Sequence, residues 1–407
     1  MFEFLTDLQF WAYVSIPFVS ALVGWGTNIV ALKMTFYPIV PFGWPPYFGW
    51  QGIIPSKAEV MAERSVDLMT TQLINIDDIV DRLDAEQIMK VLLPAVEEQA
   101  ERILDELIED RAAAWWKTVP EPLKARMYAR TKEGAAQVIL DVVNEAKSRS
   151  QELFDLKRMV VDSLMRDKAL LNRIFLECGV AEFKFIERSG LILGFLFGLI
   201  QMTIWIFYPA WWALPAAGFF VGYATNWLAL KMIFQPLQPR RVGPWIWQGL
   251  FLKRQKEVSV AYAGLVSSEI LNAKNMLNAI IRGPTSDKLF DIIQHHVMES
   301  IDTHGGFATQ FVEVAVGSEA YTKIKDKACS RIFEEVPEHA EVLHDYADRA
   351  LDIERTLREK MSALSAIKFS GLLRPIFQED ELKLILVGAA LGVAIGFFQL
   401  FAVFGRL

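Results

Sequence analysis

Cysteine and histidine are scarce in this chain. Cys178 and Cys329 are the two cysteines among 407 residues, too few for a disulfide scaffold. The five histidines all lie in the second half of the chain and no cysteine accompanies them, so we expect no metal site. The sequence also lacks a phosphate-binding loop, a dinucleotide glycine fingerprint and a serine-hydrolase elbow. We therefore expect no cofactor, and a protein that is not an enzyme.

Basic residues are in deficit as well. The chain has 42 Lys and Arg against 49 Asp and Glu, a formal net charge of -7. Nucleic-acid-binding domains carry a basic surplus, so we expect no nucleic-acid partner. Hydrophobic residues make up 53% of the chain, and a chain this apolar buries itself instead of remaining disordered.

Charge is missing altogether from three long stretches. Residues 189–230 form a run of 42 without a charge, about twice the length that a membrane helix needs. Pro209 and Pro215 near its middle predict a tight turn between two helices, because proline breaks helices. Residues 8–32 and 384–405 are each long enough to cross a membrane once. The sequence therefore predicts an all-α polytopic membrane protein with four transmembrane helices.

The distribution of basic residues predicts the orientation. Four spans put both termini on one side and the two large charged segments, 33–188 and 231–383, on the other. The stretch 231–256 has six basic residues and no acidic one. Under the positive-inside rule, both large segments are cytoplasmic and the termini lie on the opposite side of a bacterial inner (plasma) membrane.

The chain contains an internal repeat with an offset of about 198 residues. The string Gly24-Trp-Gly-Thr-Asn-Ile-Val-Ala-Leu-Lys-Met-Thr-Phe-Tyr-Pro38 returns as Gly222-Tyr-Ala-Thr-Asn-Trp-Leu-Ala-Leu-Lys-Met-Ile-Phe-Gln-Pro236. Trp50-Gln51-Gly52 returns as Trp247-Gln248-Gly249. Gly194, Gly198 and Gln201 match Gly392, Gly396 and Gln399.

This pattern predicts two parallel repeats related by a pseudo-twofold axis along the membrane normal. Repeat 1 is 1–208, with a span at about 8–34, cytoplasmic helices at about 56–182 and a span at about 189–208. Repeat 2 is 209–407, with a span at about 211–234, cytoplasmic helices at about 254–380 and a span at about 384–405.

The duplicated motif resembles the DUF445 family, the YheB/YjiN-like bacterial inner-membrane proteins. The resemblance rests on the Thr-Asn…Lys-Met-x-Phe-x-Pro string at 27–38, on its second copy at 225–236, and on the Trp-Gln-Gly elbows and Gly/Gln spans. It covers nearly the whole chain. It implies membrane localisation, but no activity that could be carried over. The residues after Gly52 and Gly249 differ between the copies.

The two large segments are helical by pattern. Apolar residues recur at helical spacing over 76–111, and the second segment has the same pattern at 258–282, 287–301 and 340–364. No block of alternating residues predicts a strand.

Uncharged polar groups lie within the predicted spans, at Thr27, Asn28, Gln201, Thr225, Asn226 and Gln399. In hydrocarbon each must find a hydrogen-bond partner. They either tie the spans together or line a polar path or a lipid-headgroup pocket. The small-xxx-small pairs Gly194/Gly198 and Gly392/Gly396 predict faces where helices pack.

Basic residues near the predicted cytoplasmic surface are candidates to bind lipid phosphate. They are Lys33, Lys231, Arg240, Arg241, Lys253 and Arg254. For the two lysines the alternative is snorkelling to the interface. The aromatic and proline-rich elbows at 41–50 and 244–247 predict segments that lie on the bilayer surface.

Taken together, these features predict a non-enzymatic inner-membrane scaffold or lipid-interacting protein with large cytoplasmic helical domains. Its partners would be membrane lipids and either a second copy of the chain or a cytoplasmic protein. The alternative is a small transporter or channel with a pathway between the two repeats, which four spans could form only as an oligomer.

Overall fold

The computed structural model describes residues 8–44, 48–111, 117–304, 322, 325–326, 328–334, 340–371 and 381–405. Contacts divide the chain into two compact units. The first comprises 1–68, 161–265 and 357–407, and the second comprises 69–160 and 266–356. Each unit therefore draws segments from both halves of the sequence, and the division into repeats at residue 208 stays a prediction.

The first half of the chain contains α1 (Leu8–Phe36), β1 (Phe42–Trp44), β2 (Phe48–Trp50), α2 (Ile53–Ser56), α3 (Ala58–Leu68), a π-helical turn (Met69–Leu73), α4 (Ile76–Val80), α5 (Ala85–Arg111), α6 (Glu121–Ser148), α7 (Ser150–Leu153), α8 (Leu156–Arg166), α9 (Lys168–Cys178) and α10 (Val180–Phe207).

The second half contains α11 (Ala213–Phe234), β3 (Arg240–Val242), β4 (Trp245–Trp247), α12 (Leu250–Lys253), α13 (Gln255–Glu269), α14 (Ala273–Arg282), α15 (Ser286–His304), a 3-10 turn (Ala340–Leu343), α16 (His344–Leu351), α17 (Ile353–Ser362), α18 (Glu381–Gln399) and a final π-helical turn (Leu400–Phe404).

The fold is helical, as predicted, but each elbow forms a short antiparallel β-hairpin, β1–β2 and β3–β4. The prediction that no strand would form is wrong at these two places. Each strand is only three residues long, too short to give an alternating signal. Gly243 at the second turn has φ +63°, a conformation that glycine adopts at no steric cost.

Polar caps divide helices that periodicity alone predicts as continuous. Asn272 ends the predicted run 258–282 after α13 and caps α14 by accepting from the Asn275 amide at 2.8 Å. Asp84 accepts from the Glu86 amide at 2.9 Å, at the start of α5 within the predicted run 76–111. Asp352, with φ 43°, separates α16 from α17 within the predicted run 340–364. Apolar periodicity continues across such breaks, so the sequence pattern missed them.

Three helices in the described part of the chain are long and apolar enough to cross a membrane. They span Phe10–Phe36, Val180–Phe207 and Glu381–Phe404. The sequence predicts four. The fourth, α11, is a helix at the predicted place, but it is not among the three. Tyr223, Asn226 and Trp227 interrupt its apolar run.

Close backbone contacts at glycine hold α1 against α10 in the first unit. On α1 and α10, a Cβ added at Gly24 would collide with the carbonyl oxygen of Gly190, and one at Gly194 with the carbonyl oxygen of Ser20. Since the contact positions rise along one helix as they fall along the other, the pair is antiparallel. The backbones touch because there is no side chain between them.

The same contact recurs between α11 and α18. Added Cβ atoms at Gly218 and Gly222 would collide with the carbonyl oxygens of Gly392 and Gly388. The predicted packing residues Gly198 and Gly396 lie against the backbone of Pro17 and Leu214. Gly190 and Gly388 were missed, although they continue the every-fourth-position spacing of the predicted glycines, and that spacing was the signal that could have found them.

The second unit is built from amphipathic helices around its own core. Buried apolar side chains of α14 and α15 pack with Leu153 and Cys329, and with the half-buried Val138 and Val142 of α6. The core residues on α14 and α15 are Ile281, Leu289, Ile292, Ile293 and Val297. A polar contact joins α4 to the start of α7, where Asp77 accepts a hydrogen bond from the Ser150 hydroxyl at 2.6 Å.

Two glycines on the same helix give a matched test of the packing. We expect Gly24→Ala to lower the free energy of unfolding by about 1–3 kcal/mol, because α10 must move away from α1. Gly26→Ala should leave stability unchanged or raise it slightly, since nothing lies within 4 Å of its added Cβ. Unfolding of both variants in detergent micelles measures this. Equal effects at the two positions would contradict the glycine contact.

Candidate functional site

Asn28 and Asn226 each tie together one antiparallel helix pair. Asn28 on α1 is fully buried, and its side-chain amide donates to the Ile186 carbonyl of α10 at 2.6 Å. Asn226 on α11 donates to the Leu384 carbonyl of α18 at 3.0 Å. Both donors and both acceptors are 198 positions apart. Each bond gives a partner to an amide N–H that would be costly to leave unpaired in an apolar environment.

The two threonines before these asparagines donate their hydroxyl hydrogen bonds within their own helices. The buried hydroxyl of Thr27 donates to the Gly24 carbonyl at 3.2 Å, and that of Thr225 to the Val221 carbonyl at 2.8 Å. Both acceptors lie on the threonine's own helix. The sequence grouped the threonines, asparagines and glutamines as one polar cluster. The hydrogen bonds that the threonines donate stay within their own helices, whereas those of the asparagines reach another helix.

Gln201 and Gln399 lie beside one small crevice between α1, α10, α11 and α18. The Ser20 hydroxyl donates to the Oε1 of Gln201 at 2.8 Å. The Nε2 of Gln399 has no hydrogen-bond partner in the part of the chain that the structure describes, although Gln399 is only 2% exposed. The crevice has room for about one water molecule. The structure therefore brings the predicted glutamines together and separates them from the asparagines.

The Trp-Gln-Gly motif closes each elbow onto the end of its helix. At the first elbow (residues 37–52), the Gly52 amide donates to the Pro38 carbonyl at 2.9 Å and the Gln51 side chain donates to the Ile39 carbonyl at 2.8 Å. At the second elbow (residues 235–249), the Gly249 amide donates to the Pro236 carbonyl at 3.1 Å, and Gln248 repeats the contact of Gln51.

Only glycine fits at the end of this motif. A Cβ at Gly52 would lie 2.7 Å from the Phe36 carbonyl carbon, and one at Gly249 would lie 2.8 Å from that of Phe234. The chain after each glycine turns into a short helix, α2 or α12. The motif therefore brings the chain back to the end of the long helix after the hairpin.

Both elbows present large apolar side chains outward. In the first, Phe42 is 78% exposed and Trp44 is 87% exposed. In the second, Ile246 and Trp247 are about half exposed. Exposed apolar groups concentrated on two turns are unusual for a surface that meets only water, and tryptophan favours a membrane–water interface.

Basic side chains lie beside these aromatics. Arg240, Arg241 and Lys253 are exposed on or just after the second hairpin, and Lys33 is exposed in the last turn of α1. The Lys231 ammonium lies 4.5 Å from the ring centre of Trp227, a cation–π distance. Four of these predicted phosphate contacts lie at the ends of α1 and α11 and on the second elbow, and the fifth, Lys253, ends the short helix α12 just after that elbow.

Arg254 differs from the other predicted phosphate contacts. Its guanidinium lies 2.8 Å from a carboxylate oxygen of Glu182, whose side chain is only 3% exposed. It also lies 2.8 Å from Glu257. The two carboxylates raise the pKa of Arg254 against the opposing effect of burial. The structure therefore places Arg254 in an ion pair between α10 and the chain after the second elbow. Nothing in the sequence pattern indicated Glu182 as its partner.

A buried thiol and phenol lie near this ion pair. Cys178, at the end of α9, is 2% exposed, and burial together with the charges of Glu177 and Glu182 raises its pKa to about 12. Burial also raises the pKa of Tyr262 on α13. A thiol in this environment is protonated at neutral pH and is a poor nucleophile. Cys178 therefore has a packing role.

Comparisons with known proteins agree with membrane localisation. A stretch of 66 residues, 16% of the chain, is 36% identical to a UPF0754 membrane protein of Shouchella clausii (strain KSM-K16). The matched stretch spans only 17% of that protein. No family model matches the chain, and no solved structure matches it. The resemblance to the DUF445 family therefore remains an expectation. Together with the three apolar helices, this similarity indicates a helical membrane protein.

The burial of both cysteines gives a test of the structure around them. We expect Cys178 and Cys329, each 2% exposed, to resist alkylation by N-ethylmaleimide at neutral pH until the chain unfolds. A Val342→Cys variant supplies the control, because Val342 is 56% exposed and its replacement should react at once. Mass spectrometry of the labelled peptides measures this. Rapid labelling of Cys178 in the folded protein would contradict its burial.

Proposed function

We propose that this chain is a non-enzymatic anchor in the bacterial inner membrane, and that its two elbows bind the lipid headgroups of the cytoplasmic leaflet. The observation that carries the proposal is the placement of exposed aromatic side chains on both elbows, with exposed basic side chains on the second elbow and at the ends of α1 and α11. The elbows follow α1 and α11. Those helices run in the same direction, because α10 is antiparallel to α1 and joins α11 by a short turn. Both elbows therefore lie at the same end of the helices.

The outer surface of the long helices supports their insertion into lipid. Phe18, Ile192 and Phe220 are more than half exposed, whereas the glycines and amides face inward. At the end away from the elbows, Tyr208, Trp211 and Trp212 are exposed on the turn between α10 and α11. Tyrosine and tryptophan at both ends of an apolar surface are typical of membrane proteins.

We propose that α11 lies in the membrane with the other three long helices. The support for this proposal is that α11 packs along α18, one of the three apolar helices. The two helices touch at Gly218 and Gly222, and the Asn226 side chain donates a hydrogen bond to the Leu384 carbonyl. Phe219, Phe220 and Trp227, the exposed residues along the middle of α11, are apolar. The matching contacts of α1 with α10, at the same offset of 198, support a duplicated unit of two helices and an elbow.

The proposed orientation puts the elbows and the second unit in the cytoplasm and both termini on the other side. The support is the basic surplus at the second elbow, where 231–256 has six basic residues and no acid. In that compartment the second unit could bind a second copy of the chain or a cytoplasmic protein.

The alternative, a small transporter or channel, needs a path past Gln201 and Gln399. The crevice beside them has room for about one water molecule, and backbone contacts at glycine close both helix pairs. These observations favour the anchor.

Removing charge at the second elbow tests the proposal. In nanodiscs of phosphatidylglycerol, the wild-type chain should unfold at a higher temperature than in nanodiscs of phosphatidylcholine. The double variant Arg240→Gln/Arg241→Gln should lose most of this difference, because each basic side chain near an anionic surface contributes about 1 kcal/mol.

Arg126→Gln/Arg130→Gln is the matched control, since it removes the same charge from exposed positions on α6 in the second unit. It should retain the dependence on phosphatidylglycerol. The lipid role is wrong if the wild type is equally stable in both lipids, or if the elbow variant behaves like the control.

A further inference from the structure

Gln399 is a buried amide whose N–H donor has no partner among the described residues. Its side chain is on α18, is 2% exposed, and faces the crevice between the four long helices. A buried donor that makes no hydrogen bond bears its full desolvation penalty. Gln201 is the equivalent residue on α10, and its side chain does have a partner, because its Oε1 accepts a hydrogen bond from the Ser20 hydroxyl.

The difference between the two glutamines has a local cause. The position 198 residues after Ser20 is Gly218, which has no hydroxyl. A serine cannot stand there, because a Cβ at Gly218 would collide with the carbonyl oxygen of Gly392. The close approach of α11 and α18 therefore removes the group that would have paired with Gln399.

We propose that the crevice binds one structural water molecule, which accepts a hydrogen bond from the Nε2 of Gln399. The size of the crevice matches about one water. The described residues that line the site are Ser20, Gln201 and Gln399 together with glycine and aliphatic residues, and none of these is charged. Buried waters are held where a buried polar group lacks a protein partner.

The chemistry of the lining favours water over an ion. A cation requires acceptors, whereas the unpaired group of Gln399 is a donor. An anion in an uncharged apolar site would bear a large desolvation cost. Water accepts from Gln399 and can donate onward to the oxygens of the Ser20–Gln201 pair. One molecule would thereby link α1, α10 and α18.

Substitution by methionine tests the site, because methionine keeps the length of glutamine and removes its polar atoms. If water is bound, Gln399→Met should lower the unfolding temperature of the full chain in detergent, by about 2–4 °C for the loss of one hydrogen bond. If the amide is simply unpaired, the same change should raise that temperature, and the proposal fails.

A double-mutant cycle supplies the second measurement. Gln201→Met, Gln399→Met and the double variant should show coupling, because both side chains share the water. Additive effects would overturn the proposal. Ordered density within hydrogen-bond distance of Gln399 in a high-resolution structure would support it. Stabilisation that depends specifically on sodium, potassium or chloride would overturn it in favour of an ion.

Discussion

The contact between helix backbones at glycine is the interaction on which the first unit depends. Gly24 meets Gly190, and Gly222 meets Gly388, with no side chain between them. In lipid, helices gain little from burying apolar side chains, because the surrounding chains are as apolar as leucine. Close approach supplies dispersion contact and brings Asn28 and Asn226 within reach of carbonyls on the partner helices. The polar contacts therefore follow from the glycine contacts.

The same close approach determines which polar groups are satisfied. Where α1 passes α10, a serine fits beside the partner and pairs with Gln201. Where α11 passes α18, only glycine fits, and Gln399 is left facing the crevice. The two copies of similar sequence therefore differ in their hydrogen bonds, because the α1–α10 pair has space for a serine hydroxyl and the α11–α18 pair does not.

The elbows connect this packing to the proposed membrane contact. Trp-Gln-Gly at 50–52 and 247–249 returns the chain to the end of a long helix, and the hairpin before it extends outward with its aromatic residues. The motif is therefore a geometric requirement for the reversal of the chain, and the exposed residues of the hairpins carry the candidate function. Arg254, just beyond the second elbow, pairs with Glu182 and is part of the structure of the unit.

Composition and periodicity by themselves determined that the chain is helical, where its long apolar segments lie, and which duplicated polar residues lie within them. They also singled out Gly194, Gly198, Gly392 and Gly396, because glycine at helical spacing is visible in the sequence. Only the tertiary structure decided that Thr27 bonds within its own helix, that Arg254 has a buried partner, and that the elbows form hairpins. Those outcomes depend on which side chains meet across residues far apart in the chain, and local pattern contains no information on such distances.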